Sequence, residues 1–235
     1  MANYDKAEQT FFRALQINPR NISTLNNLGN NFKYLTNFES AEEYFEKALN
    51  LNSNYIGALV NLGNLKFDLN KSREALIFLN RALKLNDKEL IIHLNLSLIY
   101  QSLGKFDSSV FHLRKINELF PNFTRADKML SALTNYKNEK QHLISMQDKL
   151  KNLKLDDGQK IPIYFAISKA YEDNNNFLKA HEYFEKGNKL KRKQSNYSIK
   201  KEEILFKVAE HHVNLDETDK ALSLMKRMRS KENRS

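Results

Sequence analysis

The stretch Leu25-Asn26-Asn27-Leu28-Gly29-Asn30 returns as Leu59-Val60-Asn61-Leu62-Gly63-Asn64 and, weakened, as Ile92-His93-Leu94-Asn95-Leu96-Ser97-Leu98. Asn27, Asn61 and Asn95 stand 34 residues apart each time, a period that belongs to stacked pairs of helices. This spacing constrains the fold more than composition does. A unit of that size cannot bury its apolar face alone and must cover it with the next unit, so a 235-residue chain becomes one elongated stack instead of one or two rounded cores.

Taken in order, Ala7, Phe11, Ala14 and Ile17 form an apolar stripe at helical spacing over residues 5–17, ended by Asn18-Pro19. This is the second helix of a pair whose first helix is missing. A complete pair follows over 22–53, with Leu25, Leu28, Phe32 and Leu35 on its first helix, a turn at Thr36-Asn37-Phe38-Glu39, and Ala41, Phe45 and Ala48 on its second. Gly29 is expected to face Ala41, a contact between small residues that lets two backbones approach. The scheme recurs over 56–87, where Lys66 replaces an aromatic, and over 90–121. Residues 124–157 keep the length and lose most of the pattern. Asp156-Asp157-Gly158 interrupts the period, which recovers after Pro162 in Tyr164, Ile167, Ser168, Tyr171, Ala180, Phe184 and Gly187. Beyond the charged junction Lys191-Arg192-Lys193, a last unit is expected around Leu205, Val208, Ala209, Ala221, Met225 and Met228.

Residues 5–123 resemble tetratricopeptide repeats, with Ala7/Phe11/Ala14/Pro19 and Leu28/Gly29/Phe32/Ala41/Phe45/Ala48 at that family's positions. The family's characteristic tryptophan is absent, since the chain contains none. The resemblance implies an all-α, right-handed superhelix of about six helix pairs, the first incomplete. It has an N-terminal array over 1–123 and degenerate and C-terminal pairs over 124–235 that continue the same solenoid.

In that architecture the first helix of each pair lines a concave groove. Ser23, Asn27 and Asn30 share one face of a helix, and stacking would set Asn27, Asn61 and Asn95 in a row with Asn30 and Asn64 beside them. A carboxamide offers one carbonyl acceptor and two N–H donors, matching the acceptor and donor of a peptide unit. The row resembles the asparagine ladder in the repeats of protein O-GlcNAc transferases, which holds extended peptides by their backbone. Two readings fit it: a peptide-binding ladder between residues 22 and 102, or asparagines that solvate an open face. A clamp for chaperone tails needs basic first-helix residues, and Asn26, Val60 and Leu94 stand there instead.

The remaining chemistry is sparse. The chain has no cysteine, hence neither a disulfide framework nor a thiolate metal site. No phosphate loop, nucleophile elbow or paired His-Glu metal motif occurs, and the six histidines are read as packing or surface residues. The chain by itself is therefore expected to be no enzyme and to need no cofactor or metal. No apolar run reaches the length of a membrane span and the first residues lack a signal-peptide core, so a cytoplasmic location is the expectation. Residues 1–123 hold 14 Lys and Arg against 12 Asp and Glu, leaving most of the net charge of +10 in the second half. Its basic runs, Lys186 to Lys201 and Lys226 to Arg234, are read as solvated faces. Nucleic acid is disfavoured for want of interleaved aromatics, and the expected partner is a protein or extended peptide. Ile163 to Asp173 with Ala180 to Asn188 and Lys191-Arg192 is similar to the repeat region preceding the catalytic domain of bacterial tetratricopeptide sulfotransferases. That likeness covers residues 124–206 and implies a non-catalytic, substrate-positioning alternative, because the sulfonate-donor loop is missing.

Overall fold

The computed structural model describes residues 2–195, and within them there is helix and no strand. The order is α1 (Ala2–Ile17), α2 (Ile22–Tyr34), α3 (Phe38–Leu51), α4 (Ile56–Asp68), α5 (Ser72–Leu85), α6 (Leu90–Ser102), α7 (Phe106–Leu119), α8 (Arg125–Leu133), α9 (Gln141–Asn152), α10 (Asp157–Asp173) and α11 (Phe177–Gln194). Helices α2/α3, α4/α5, α6/α7 and α10/α11 pack as pairs, the first three pairs lie one against the next, α8 stands between α7 and α10, and the first helices α2, α4 and α6 touch in succession. The fold is an all-α solenoid. The final unit expected after residue 195 lies outside the described residues.

The turns explain why the chain breaks at the same phase each time. Within the pairs, Thr36, Asn70, Gly104 and Asn175 all have φ between 58° and 69°. The next residue closes each helix: the N–H groups of Asn37, Lys71, Lys105 and Asn176 reach the carbonyls of Phe32, Lys66, Tyr100 and Tyr171 at 2.8–2.9 Å, the left-handed Schellman ending. Phe38 and Glu39 already belong to α3, so the turn is two residues shorter than its residue types suggest. Between pairs, the Oδ1 atoms of Asn18, Asn52 and Asn86 accept from the backbone N–H two residues on at 2.9–3.2 Å, each an Asx turn. Part of the asparagine richness is therefore turn chemistry, distinct from the row on the first helices.

Packing follows the small-and-large alternation. Leu28, Ala41, Phe45, Ala48, Leu79 and Ala82 are fully buried, and Phe45 bridges to Leu62 and Leu65 of the following pair. The expected contact of Gly29 with Ala41 is corrected here. A β-carbon on residue 29 would lie 2.6 Å from Phe45 Cε1, so the missing side chain makes room for a ring one turn further along α3. Lys66, standing where an aromatic recurs, is almost buried and is held by Glu42 of the preceding pair and by Glu74 at 3.4 Å. Burial lowers the pKa of its ammonium, but the hydrogen bonds to both carboxylates and their charges outweigh that and leave it raised.

The fourth unit departs from the scheme. α8 packs on α7 and α10, and α9 packs on α10, so these two helices do not form the close hairpin that the period implies. The core here is Tyr136, Met146, Leu155, Ile163, Ala166, Ile167 and Ala170, with Tyr136 of the α8–α9 connection filling the space between them. The break read at Asp156-Asp157-Gly158 is a helix start. Asp156 caps α10 by accepting from the Gln159 N–H at 2.8 Å, and Gln159 Oε1 accepts from the Asp156 N–H at 3.0 Å, a reciprocal capping box. Pro162 lies inside this helix and withholds one backbone bond.

Candidate peptide-binding groove

Five asparagines single out the groove in the sequence, and they occupy its three central helices: Asn27 and Asn30 on α2, Asn61 and Asn64 on α4, Asn95 on α6. Asn27 is exposed and the other four are half-buried, while their helical neighbours Leu28, Leu62 and Leu96 are fully covered. The 3.6-residue turn produces this contrast, since adjacent residues point about 100° apart. The amides of Asn27, Asn30 and Asn64 form no hydrogen bond with another described residue. Asn61 does: its Nδ2 donates to Asn26 Oδ1 on the preceding first helix at 2.9 Å. Asn95 Nδ2 is shut off from solvent with no hydrogen-bond partner among the described residues.

Asn26, which sequence reasoning set aside, is the residue that bonds to the row. It is 6 % exposed, and its partner lies 35 residues away, one more than the period. That offset depends on how the two helices are rotated against each other, which no spacing along the chain reports.

The groove changes character along its length. Its α2 and α4 part is amide-rich, and Lys33 Nζ of α2 pairs with Asp68 Oδ2 of α4 at 2.7 Å. On α6 the register position that follows Asn30 and Asn64 holds Leu98, which is exposed, as is Ile91 two turns earlier on the same helical face. On α8 Met129 stands where Asn95 stands on α6. A row of uncharged amides beside apolar contacts can hold a peptide backbone and cover an aliphatic side chain; it carries no nucleophile and no acid-base pair.

Polar clusters elsewhere are internally satisfied. Asp127 is fully buried; Lys149 Nζ donates to both of its oxygens at 2.9 and 2.8 Å and to Asn117 Oδ1 at 3.3 Å. His142 Nε2 donates to Asp127 at 3.2 Å and its Nδ1 accepts from the Tyr136 hydroxyl at 2.7 Å. Burial, with the charges of Asp127 and Asp173, pushes the Tyr136 phenol up, so it stays a donor. A cavity of about 150 Å³ beside this network is lined by Arg114, Asn117, Glu139, His142 and Ser145 among others. On α6 and α7, His93 and His112 meet through their Nδ1 atoms at 2.9 Å, and His93 Nε2 donates to the Asp87 carbonyl at 2.8 Å. Burial and the neighbouring His93 lower the His112 pKa to about 4, so the His112 ring is neutral at pH 7 and serves in packing. Their pairing, 19 residues apart, is invisible along the chain. Among the described residues no cluster of three or more His, Asp or Glu is arranged for a metal, and no helix is long and apolar enough to cross a membrane. Of the basic run, Lys186, Arg192 and Lys193 pair with Glu182, Glu185 and Asp157; Lys200, Lys201, the run Lys226 to Arg234 and His211-His212 lie outside the described residues.

Comparison with known proteins places this geometry. Tetratricopeptide-repeat profiles match residues 22–88 and residues 91–123 and 161–194, together more than half of the chain, and they skip the unit in which α8 and α9 part. Among solved structures, that of YrrB, described as a TPR protein with an unusual peptide-binding site, superposes with a TM-score of 0.59 at 20% identity, over 77% of this chain and 91% of that one. A tetratricopeptide repeat protein from Parabacteroides merdae ATCC 43184 gives 0.52 at 17% identity over 80% and 73%. MamA gives 0.50 at 23% over 83% and 93%. At these identities the likeness is one of fold. No curated protein matches the chain by sequence. None of the proteins named here is a sulfotransferase, so that resemblance stays at the level of residue pattern. The helix pairs at a 34-residue pitch, the Schellman turns in phase and the profile matches have one source: the chain belongs to the tetratricopeptide repeat family.

Proposed function

We propose that this repeat scaffold holds an extended peptide segment of a partner protein along the face of α2, α4 and α6, with Asn27, Asn61 and Asn95 as rungs that bind its backbone and Asn30 and Asn64 as flanking contacts. One observation carries the reading: uncharged amides recur at one pitch on three successive helices, each with hydrogen-bonding capacity left unused inside the fold. A surface that only needed solvation would do as well with lysine or glutamate, which hydrate more strongly. Each rung adds roughly 1 kcal/mol net, so binding is weak and tolerant of ligand sequence, and the exposed Ile91 and Leu98 add preference for an aliphatic residue. Partner and cellular location follow from this class of ligand only in outline: a protein segment, bound without a cofactor.

The test is to replace Asn27, Asn61 and Asn95 together with Ala. Helicity and melting temperature are expected to stay close to wild type, and affinity for extended peptides, measured by fluorescence anisotropy, to fall by about tenfold or more. Unchanged affinity sinks the ladder in favour of a merely solvated face.

A further inference from the structure

We infer that Asn26 is a positioning residue of this groove: by accepting from Asn61 Nδ2 it holds the Asn61 amide with its carbonyl oxygen free. The central rung then takes a backbone N–H from the bound segment and rejects a residue that has none, such as proline. The inference rests on the groove reading above and adds the polarity of its central contact.

The geometry is a built pair. Asn26 is buried on α2 and its Oδ1 lies 2.9 Å from Asn61 Nδ2 on α4. One N–H of Asn61 is thus committed inside the fold, the bond orients the amide, and the carbonyl oxygen is left as an acceptor beside the one remaining N–H. A group fixed before binding loses less conformational freedom on binding. The same molecule contains the pair with its acceptor removed. Asn95 follows Asn61 by 34 residues and Val60 follows Asn26 by 34. Val60 packs in the core with Leu59, Ile92 and Leu96 and offers no oxygen, and Asn95 Nδ2 is the buried side-chain nitrogen without a hydrogen bond among the described residues. The rungs are therefore unequal: Asn61 is preset as an acceptor, whereas Asn95 is not held and its N–H has no internal partner. An extended segment crossing both meets a preset acceptor at Asn61 and, at Asn95, an amide whose nitrogen is turned away from solvent, and proline-rich polyproline-II ligands, which lack N–H groups, fall outside its range.

The full-length chain is tested by anisotropy against a fluorescein-labelled Ser/Thr/Val peptide, and against the same peptide with alternate backbone nitrogens methylated, in both phases. The wild type is expected to lose about fivefold in affinity in at least one phase. Asn26→Leu is expected to shrink that penalty to within about twofold, and Asn26→Asp, which still presents an acceptor to Asn61, to restore it. A methylation penalty that is equal in wild type and Asn26→Leu overturns the positioning role. No penalty in either phase overturns the acceptor polarity while leaving the groove reading intact, and equal parent-peptide binding by the triple Ala variant overturns the groove reading and this inference together. Should Asn26→Leu fail to fold, side-chain amide exchange in the wild type decides: slower exchange at Asn61 than at Asn64 supports the pair, and equal exchange overturns it.

Discussion

At the scale of single residues, the repeat motif divides its work between neighbours that point in different directions. Leu28 and Gly29 face the second helix, and the space above Gly29 is filled by the Phe45 ring, whose Cε1 and Cδ1 would lie 2.6 and 2.7 Å from an added β-carbon. Phe45 is completely buried and has little room to retreat. Gly29→Ala is therefore expected to destabilise the chain by about 1–2 kcal/mol in urea denaturation. The overpacking cost of roughly 1–3 kcal/mol exceeds the gain of up to about 1 kcal/mol from helix propensity; a stabilised variant would mean that the ring shifts freely. Asn27 is exposed and Asn30 half-buried, and neither amide bonds to another described residue. Their amides can be changed without touching the core, which is what makes the groove testable by substitution.

The elements are joined by turns and contacts whose strain is unevenly relieved. Three of the four left-handed turn positions hold Thr36, Asn70 and Asn175, and only Gly104 is a glycine. A β-branched residue at φ 59° is unfavourable by about 1 kcal/mol or more, so Thr36→Gly is expected to raise the midpoint of thermal unfolding by a few degrees. No change would show that the unfolded chain's added freedom cancels the relief. Between α6 and α7, the His93–His112 contact sets a pH dependence. The His112 pKa is lowered from 6.5 to about 4 in the fold, so the unfolded chain takes up a proton more readily. The stability associated with its neutral form is complete above pH 6.5, declines as the pH falls toward about 4, and levels off below. The full span corresponds to roughly 3 kcal/mol. Chemical denaturation of wild type and His112→Phe at pH 7.5 and 4.5 measures it, with a smaller acid loss expected in the variant.

For the whole molecule, coupling runs from each pair to its neighbours, and the fourth unit is where it is carried by polar groups. Asp127 anchors Lys149 and His142 from a fully buried position, and removing one member of a buried ion pair costs about 3–5 kcal/mol because the other charge is stranded. Asp127→Ala is expected to raise amide exchange in α8 and α9 while α2 to α5 keep their protection, as in an array stabilised by adjacent units. Uniform loss of protection along the chain would show a single cooperative block instead. The proposed groove lies on α2, α4 and α6, so any peptide binding there should persist in this variant.

The 34-residue period by itself determined the class of fold, the phase of the pairs over residues 5–123 and the helical face on which Asn27, Asn61 and Asn95 lie, because burial of an amphipathic helix depends on spacing that any reader of the chain can count. Local chemistry was only partly legible there: Asp156-Asp157-Gly158 reads as an interruption until its side chains are seen capping α10. What the tertiary structure alone decided are the contacts between helices far apart in sequence: Phe45 over Gly29, Lys66 between Glu42 and Glu74, His93 on His112, Asp127 between α8 and α9, and Asn26 on Asn61. Each depends on the rotation and offset of one helix against another, set by the packing of many side chains at once, and no periodicity along one chain encodes that angle.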